Sequence, residues 1–101
     1  MEIDLESIYI PSSKVVARKI EDELIIIPIQ NGLADLDDSM FSLNATGQAV
    51  WEKLAPNRTV SFVCSSLADE FNASFEEVKN DVLLLLNQLF QKKLIVKIEK
   101  G

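Results

Sequence analysis

The apolar positions of the chain change period part-way along it, and the change separates strands from helices. "KVVARKI" (14–20) alternates and is rich in β-branched residues, which predicts a strand. After the polar "EDE" (21–23), "LIIIPI" (24–29) predicts a second strand, buried on both faces at its start. Pro28 cannot donate to a ladder, so it is expected to mark the end of regular pairing or a bulge. Turn signals in "QNG" (30–32) and "LDDS" (36–39) make the next connection longer than a tight hairpin. "MFSL" (40–43) then predicts a short third strand, with Phe41 and Leu43 on one face and Met40 and Ser42 on the other.

From Asn44, a good N-cap, the period becomes helical. Gly47, Val50, Trp51 and Leu54 fall at i, i+3, i+4 and i+7 and predict a helix over 45–54, ended by "APN" (55–57). Thr59 caps a second helix with Val60, Val63, Cys64, Leu67 and Phe71 on its core face. Ser74 and Glu77 form a capping box opening a third helix that runs to about residue 92. "LIVKIE" (94–99) alternates again, as a short strand or an extended tail. Residues 1–13 carry Ile3, Leu5, Ile8, Tyr9 and Ile10 in loose alternation up to Pro11, which fits an added strand, an arm or a frayed terminus. The expected organisation is an N-terminal arm over 1–13 and a single domain over 14–99. Its fold class is α+β: a three-stranded antiparallel sheet followed by three helices, in a winged helix-turn-helix layout.

The third helix holds more apolar surface than one stripe needs. At about 100° per residue, Val78, Val82, Leu85 and Leu89 share a core stripe. Leu83, Leu86 and Phe90 form a second stripe beside it, with Lys79 and Lys93 at its ends and Leu84 alone on the far side. Burial over a wide arc explains this, and so does a groove wall. A helix wall beside an open strand edge suits a peptide: the strand supplies main-chain hydrogen bonds and the wall supplies pockets.

Charge and composition narrow the function. The chain has 101 residues, about half of them hydrophobic, with three Gly and three Pro, so one globular domain is the natural prior. It has no histidine and one cysteine, Cys64. That excludes imidazole or multi-thiolate metal sites and Ser-His or Cys-His nucleophiles, and no cofactor is implied. The net charge of −6 opposes nucleic acid and anionic membranes. No apolar run approaches the ~20 residues of a membrane span. The N-terminus lacks a basic n-region, and a lone cysteine fits a cytoplasmic protein. Asp35, Asp37 and Asp38 lack calcium-loop spacing and read as turn residues guarding a strand edge. Cys64 and Trp51 read as core residues. Phe62, off the core face of its helix, is either a partner contact or an ordinary exposed apolar residue.

"MFSLNATGQAVWEKL" (40–54) resembles the aromatic-x-Leu-Asn-x-Thr/Ser-small-x-x-Ile/Val-Trp-x-x-Leu stretch of the PqqD-like family. "RTVSFVCSSLADEFNASFEEVKNDVLLLLNQL" (58–89) is similar to that family's following segment, including Val78, Asp81 and Val82 at the start of the third helix. "VVARKIEDELIII" (15–27) resembles its first hairpin, and the resemblance spans roughly residues 14–96. The chain departs from the family in the longer link "PIQNGLADLDDS" and in Phe62, where a polar residue is common.

The resemblance implies a RiPP recognition element: a non-catalytic peptide chaperone of natural product biosynthesis. Such a domain binds the leader of a ribosomally made precursor peptide and presents it to a modifying enzyme, often a radical SAM enzyme with iron–sulfur clusters. In the family the leader adds as a strand to the edge of the third strand and lies against the third helix. Carried onto this chain, that edge is Ser39, Met40, Phe41, Ser42 and Leu43, and the facing helix positions are Leu83, Leu86, Asn87 and Phe90. Asn87 rests on the resemblance alone, whereas the apolar stripe also suggests the other three. The alternative is a winged-helix DNA-binding transcriptional regulator. Against it, Glu76, Glu77 and Asp81 place negative charge at the start of the third helix. The expected partners are thus a leader peptide and a radical SAM enzyme, without nucleic acid or membrane. An open strand edge leaves room for a homodimer.

Overall fold

A computed structural model describes residues 3–30, 33–34 and 40–98. Along the chain lie β1 (Ile8–Pro11), β2 (Val15–Ile20), β3 (Glu23–Gln30), β4 (Leu33–Ala34) and β5 (Phe41–Leu43). The helices α1 (Ala45–Lys53), α2 (Val60–Glu70) and α3 (Phe75–Gln91) follow, and then β6 (Ile95–Ile98). The class is the expected α+β one.

The main sheet is antiparallel and centred on β3. β2 pairs with it from Val15↔Pro28 to Ile20↔Glu23. β5 takes its other side, with Leu24↔Leu43 and Ile26↔Phe41 as the outer pairs. Pro28 closes the ladder with β2 but does not end the strand. β3 continues to Gln30 and pairs there with the two residues of β4. The third strand begins at Phe41, one residue later than expected, and the loop carrying Asp35, Asp37, Asp38 and Ser39 lies outside the described residues.

Each helix starts where a side chain can serve its free N–H groups. Asn44 Oδ1 accepts from the Gly47 N–H (2.9 Å), Thr59 Oγ1 from the Phe62 N–H (3.1 Å) and Ser74 Oγ from the Glu77 N–H (3.2 Å). α2 and α3 end in left-handed residues, Asn72 (φ 53°) and Lys93 (φ 63°). The N–H of Ala73 reaches back to the Ala68 carbonyl and that of Leu94 to the Leu89 carbonyl, both at 2.9 Å. This Schellman-type ending satisfies late carbonyls and turns the chain sharply out of α3 into β6. A buried glutamine joins the helices to the sheet: Gln48 Nε2 donates to the Asp22 carbonyl at 2.7 Å, holding α1 against the β2–β3 turn. Phe71, expected in the core, is exposed, because α2 has already ended at Glu70 and Phe71 is its C-cap.

The N-terminal segment is built into this core. β1 pairs antiparallel with β6 from Ile8↔Ile98 to Pro11↔Ile95. Of the readings open for residues 1–13, a strand holds for Ile8–Pro11, and "LIVKIE" supplies its partner. The segment also serves α2, whose first N–H groups lack intrahelical acceptors. The Val60 N–H donates to the Ser7 carbonyl and the Ser61 N–H to the Leu5 carbonyl, each at 2.9 Å. Tyr9 is 1% exposed and meets Phe90 of α3 edge-on, ring centroids 5.6 Å apart. Ile3 and Tyr9 thereby join Ile26, Leu43, Val50, Leu67, Val82 and Leu89 in one core.

Cys64 is fully buried in that core. Burial pushes its thiol up from the ordinary value, and the Lys79 cation opposes this only in part. The unfolded chain therefore ionises first as the pH rises. The thiol's contribution to stability is complete below about pH 8.5, the unfolded value, and is lost as the pH climbs through the higher folded value. At neutral pH, Cys64 is expected to resist a thiol-specific chromogenic reagent in the native chain and to react fully in urea. Rapid stoichiometric labelling of the folded protein would contradict this placement.

Candidate functional site

A groove of about 650 Å³ opens between β5 and α3. The strand side is Phe41, Ser42 and Leu43, continued by Asn44 at the helix cap. The opposite wall is one face of α3: Asp81, Leu84, Leu85 and Gln88. Thr46, Gly47 and Val50 of α1 close one side, and Glu23 of β3 lies beside the strand. On this groove side, β5 has no strand partner among the described residues; its partner is β3, on its other edge.

The local sequence explains this shape. Leu43 is buried and anchors β5 to the core, while Ser42 points outward and donates its hydroxyl to Glu23 Oε1 at 2.9 Å. Leu43 packs closely against the first turn of α1 because residue 47 is glycine. A Cβ there would stand 3.0 Å from Leu43 Cδ2 and 3.1 Å from Leu43 Cβ. Leu43 is 1% exposed and has little room to retreat. Gly47→Val is therefore expected to cost about 1–3 kcal/mol by overpacking and to shift β5, read as a lower urea midpoint and displaced amide signals over residues 41–43. An unchanged midpoint would mean that Leu43 yields easily.

The sequence-derived site residues divide. Phe41, Ser42 and Leu43 line the groove. Met40 is exposed just before β5 without lining it, and Ser39 lies outside the described residues. None of the four helix positions lines it. Leu86 is fully buried in the core, and Leu83 packs against that core. Phe90 meets Tyr9, and Asn87 holds its Oδ1 buried with no hydrogen-bond partner. The helix residues that line this groove are Asp81, Leu84, Leu85 and Gln88, on the other flank of the core stripe. On the flank of the second apolar stripe, Tyr9 of β1 packs edge-on against Phe90, which stays half-buried, and the N-terminal segment joins the core beside it. Leu84 carried the missed signal: a leucine alone on the polar face, flanked at i−3 and i+4 by Asp81 and Gln88, and 56% exposed.

The groove is apolar at its centre, with Phe41, Leu84 and Leu85, and acidic at its margins, with Glu23 and Asp81 and no cation among the described residues that line it. Among the described residues, no cluster of three or more Cys, Asp or Glu side chains is placed to hold a metal ion. Nor is any helix among them long and apolar enough to cross a membrane.

A family model described as "Coenzyme PQQ synthesis protein D (PqqD)" matches residues 23–95, from the first residue of β3 to the first of β6. The chain belongs to the PqqD family. β1 and β2 precede the matched span, which contains both walls of the groove. No curated protein matches the chain. Among solved structures, "TbiB1 in Complex with the TbiA(beta) Leader Peptide" is similar, with a TM-score of 0.70 and 23% sequence identity. The similarity covers 90% of this chain and 99% of that one. It shows a shared fold over nearly the whole chain.

Proposed function

We propose that this protein is a non-catalytic adaptor that captures the leader of a ribosomally synthesised precursor peptide and presents it to a modifying enzyme. The observation that carries the reading is the edge of β5, without a strand partner among the described residues, facing the α3 wall across a groove. The leader adds as a strand to β5. Main-chain bonds give affinity without sequence preference, and the pockets around Leu84 and Leu85 select apolar side chains. Glu23 and Asp81 at the margins favour a leader with a basic residue beside its apolar anchors. Family membership and the leader peptide bound by the similar TbiB1 support the same assignment.

The mechanism is tethering. Holding the leader makes the meeting of core peptide and enzyme effectively intramolecular, at local concentrations on the order of millimolar for a short flexible link. The proposed enzyme partner is a radical SAM enzyme, and the adaptor works in the cytoplasm, where the single cysteine stays reduced. The DNA-binding alternative is disfavoured by the acidic first turn of α3, Glu76 and Glu77, and by the net charge of −6.

A titration of isotope-labelled protein with the leader encoded beside its gene tests the site. Amides of residues 41–43 and 81–88 are expected to shift together and saturate. A confirmed cognate leader that leaves both segments unmoved would remove the assignment. Reconstitution with a neighbouring radical SAM enzyme, with and without the adaptor, tests the partner. Equal rates at low peptide concentration would exclude that pairing.

A further inference from the structure

A second groove, of about 990 Å³, lies at the C-terminal end of α3 and shares no lining residue with the first among the described residues. Its charge is opposite to that of the chain. Lys14, Lys92, Lys93 and Lys97 line it, and among the described residues no carboxylate does, in a protein whose acidic residues outnumber its basic ones by 16 to 10. All four lysines are exposed, and none makes an ion pair among the described residues. The ion pairs that do form, Lys53–Glu70 and Lys79–Glu76, lie elsewhere. The floor between the lysines is apolar: Ile10, Pro11, Pro28, Ile29, Phe90 and Val96, the last 42% exposed.

The fold gathers these residues from distant parts of the sequence. The turn at Lys93 brings Lys92 and Lys93 round the end of α3, and β6 then carries Lys97 alongside Tyr9 of β1. Lys14 reaches the same groove from the start of β2, its carbonyl accepting from the Ile29 N–H at 2.7 Å. Four exposed like charges along one groove give it a positive potential that favours a negatively charged ligand.

We propose that this groove docks an acidic segment of a partner protein, one in which carboxylates alternate with apolar side chains. The carboxylates meet the lysines, and the apolar side chains cover Phe90, Ile10 and Val96. Nucleic acid fits less well. It would face the negative charge of the rest of the surface, and the groove offers neither arginine forks nor a flat exposed aromatic platform. Because the two grooves share no residue, both can be filled at once, so one protein can hold a peptide at β5 and a partner behind α3. The proposal stands on the lysine groove alone and survives or fails independently of the leader reading.

The test is a nuclear magnetic resonance titration of the full chain with a synthetic peptide of alternating Glu and Leu. Saturable shifts are expected at residues 10–14, 91–93 and 95–97, with the amides of 41–43 unmoved. Affinity is expected to fall at least about 5-fold between roughly 50 and 300 mM salt, as screening removes the attraction. The double variant Lys92→Glu/Lys97→Glu is expected to lose at least about 10-fold in affinity, with amides remote from the groove unchanged. Since both positions are exposed, folding of the variant is checked by its thermal midpoint. If the double variant unfolds, Lys92→Gln/Lys97→Gln is measured against the same threshold. No saturable shift, equal binding of a peptide with Lys in place of Glu, or shifts centred on β5 would overturn the proposal. So would tighter binding of a single-stranded oligonucleotide, or self-association of the chain abolished by the same variant, which would make a second copy the occupant.

Discussion

Leu84→Glu is expected to weaken capture of the cognate leader by at least about 30-fold, or roughly 2 kcal/mol, while leaving the fold intact. Leu84 lines the α3 wall and is 56% exposed in the free protein, so its apolar surface is available to be covered by a bound peptide. Glutamate there forfeits that burial. It also adds a third carboxylate to a groove already holding Glu23 and Asp81, so peptide binding must desolvate a charge without a partner. The cost to stability is small, within about 0.5 kcal/mol, because the site is solvent-facing and both residues favour helix. Calorimetric titration gives the affinity and urea denaturation the stability. Leu83→Ala is the matched control: Leu83 packs on the core and lines no part of the groove, so it is expected to lower stability and spare affinity. The reverse pattern, with Leu83 controlling affinity and Leu84 silent, would return the peptide to the opposite flank of α3.

That contrast marks how far the sequence reaches. Local signals were legible because they are local: Asn44, Thr59 and Ser74 cap the helices they were expected to cap, and Val63, Cys64 and Leu67 are buried at the expected spacing. The strand half of the groove was legible too, since the alternation of Phe41, Ser42 and Leu43 dictates which side chains anchor it. The helix half was not. A helical projection shows that α3 has a wide apolar arc, but which flank is covered depends on what the rest of the chain lays upon it. Here β1 and β6, more than 80 residues apart in sequence, pair with each other and place Tyr9 on Phe90. Nothing in the spacing of Leu83, Leu86 and Phe90 reports that pairing. The lysine groove was hidden for the same reason, because Lys14 and Lys97 become neighbours only once the termini meet.

Tyr9→Ala is accordingly expected to be among the most damaging single substitutions, at about 3–5 kcal/mol, the range for emptying a large buried aromatic site. Small domains have about 5–15 kcal/mol in total, so the variant sits near the edge of folding. The ring is 1% exposed, and its loss removes both the packing beneath β6 and the edge-on contact with Phe90. The same segment supplies the Ser7 and Leu5 carbonyls to the first turn of α2, so loosening it also uncaps that helix. Tyr9→Phe keeps the ring and separates its packing from whatever the hydroxyl contributes. Urea denaturation of the two variants decides the matter. A large loss for alanine with a small one for phenylalanine identifies ring packing as the cause. An alanine variant within about 1 kcal/mol of the parent, below the cost of a cavity, would show that residues 3–11 are an appendage on a core that stands without them. Leader affinity provides the last discrimination: Tyr9 does not line the groove between β5 and α3, so Tyr9→Ala protein that remains folded is expected to bind the leader as tightly as the parent.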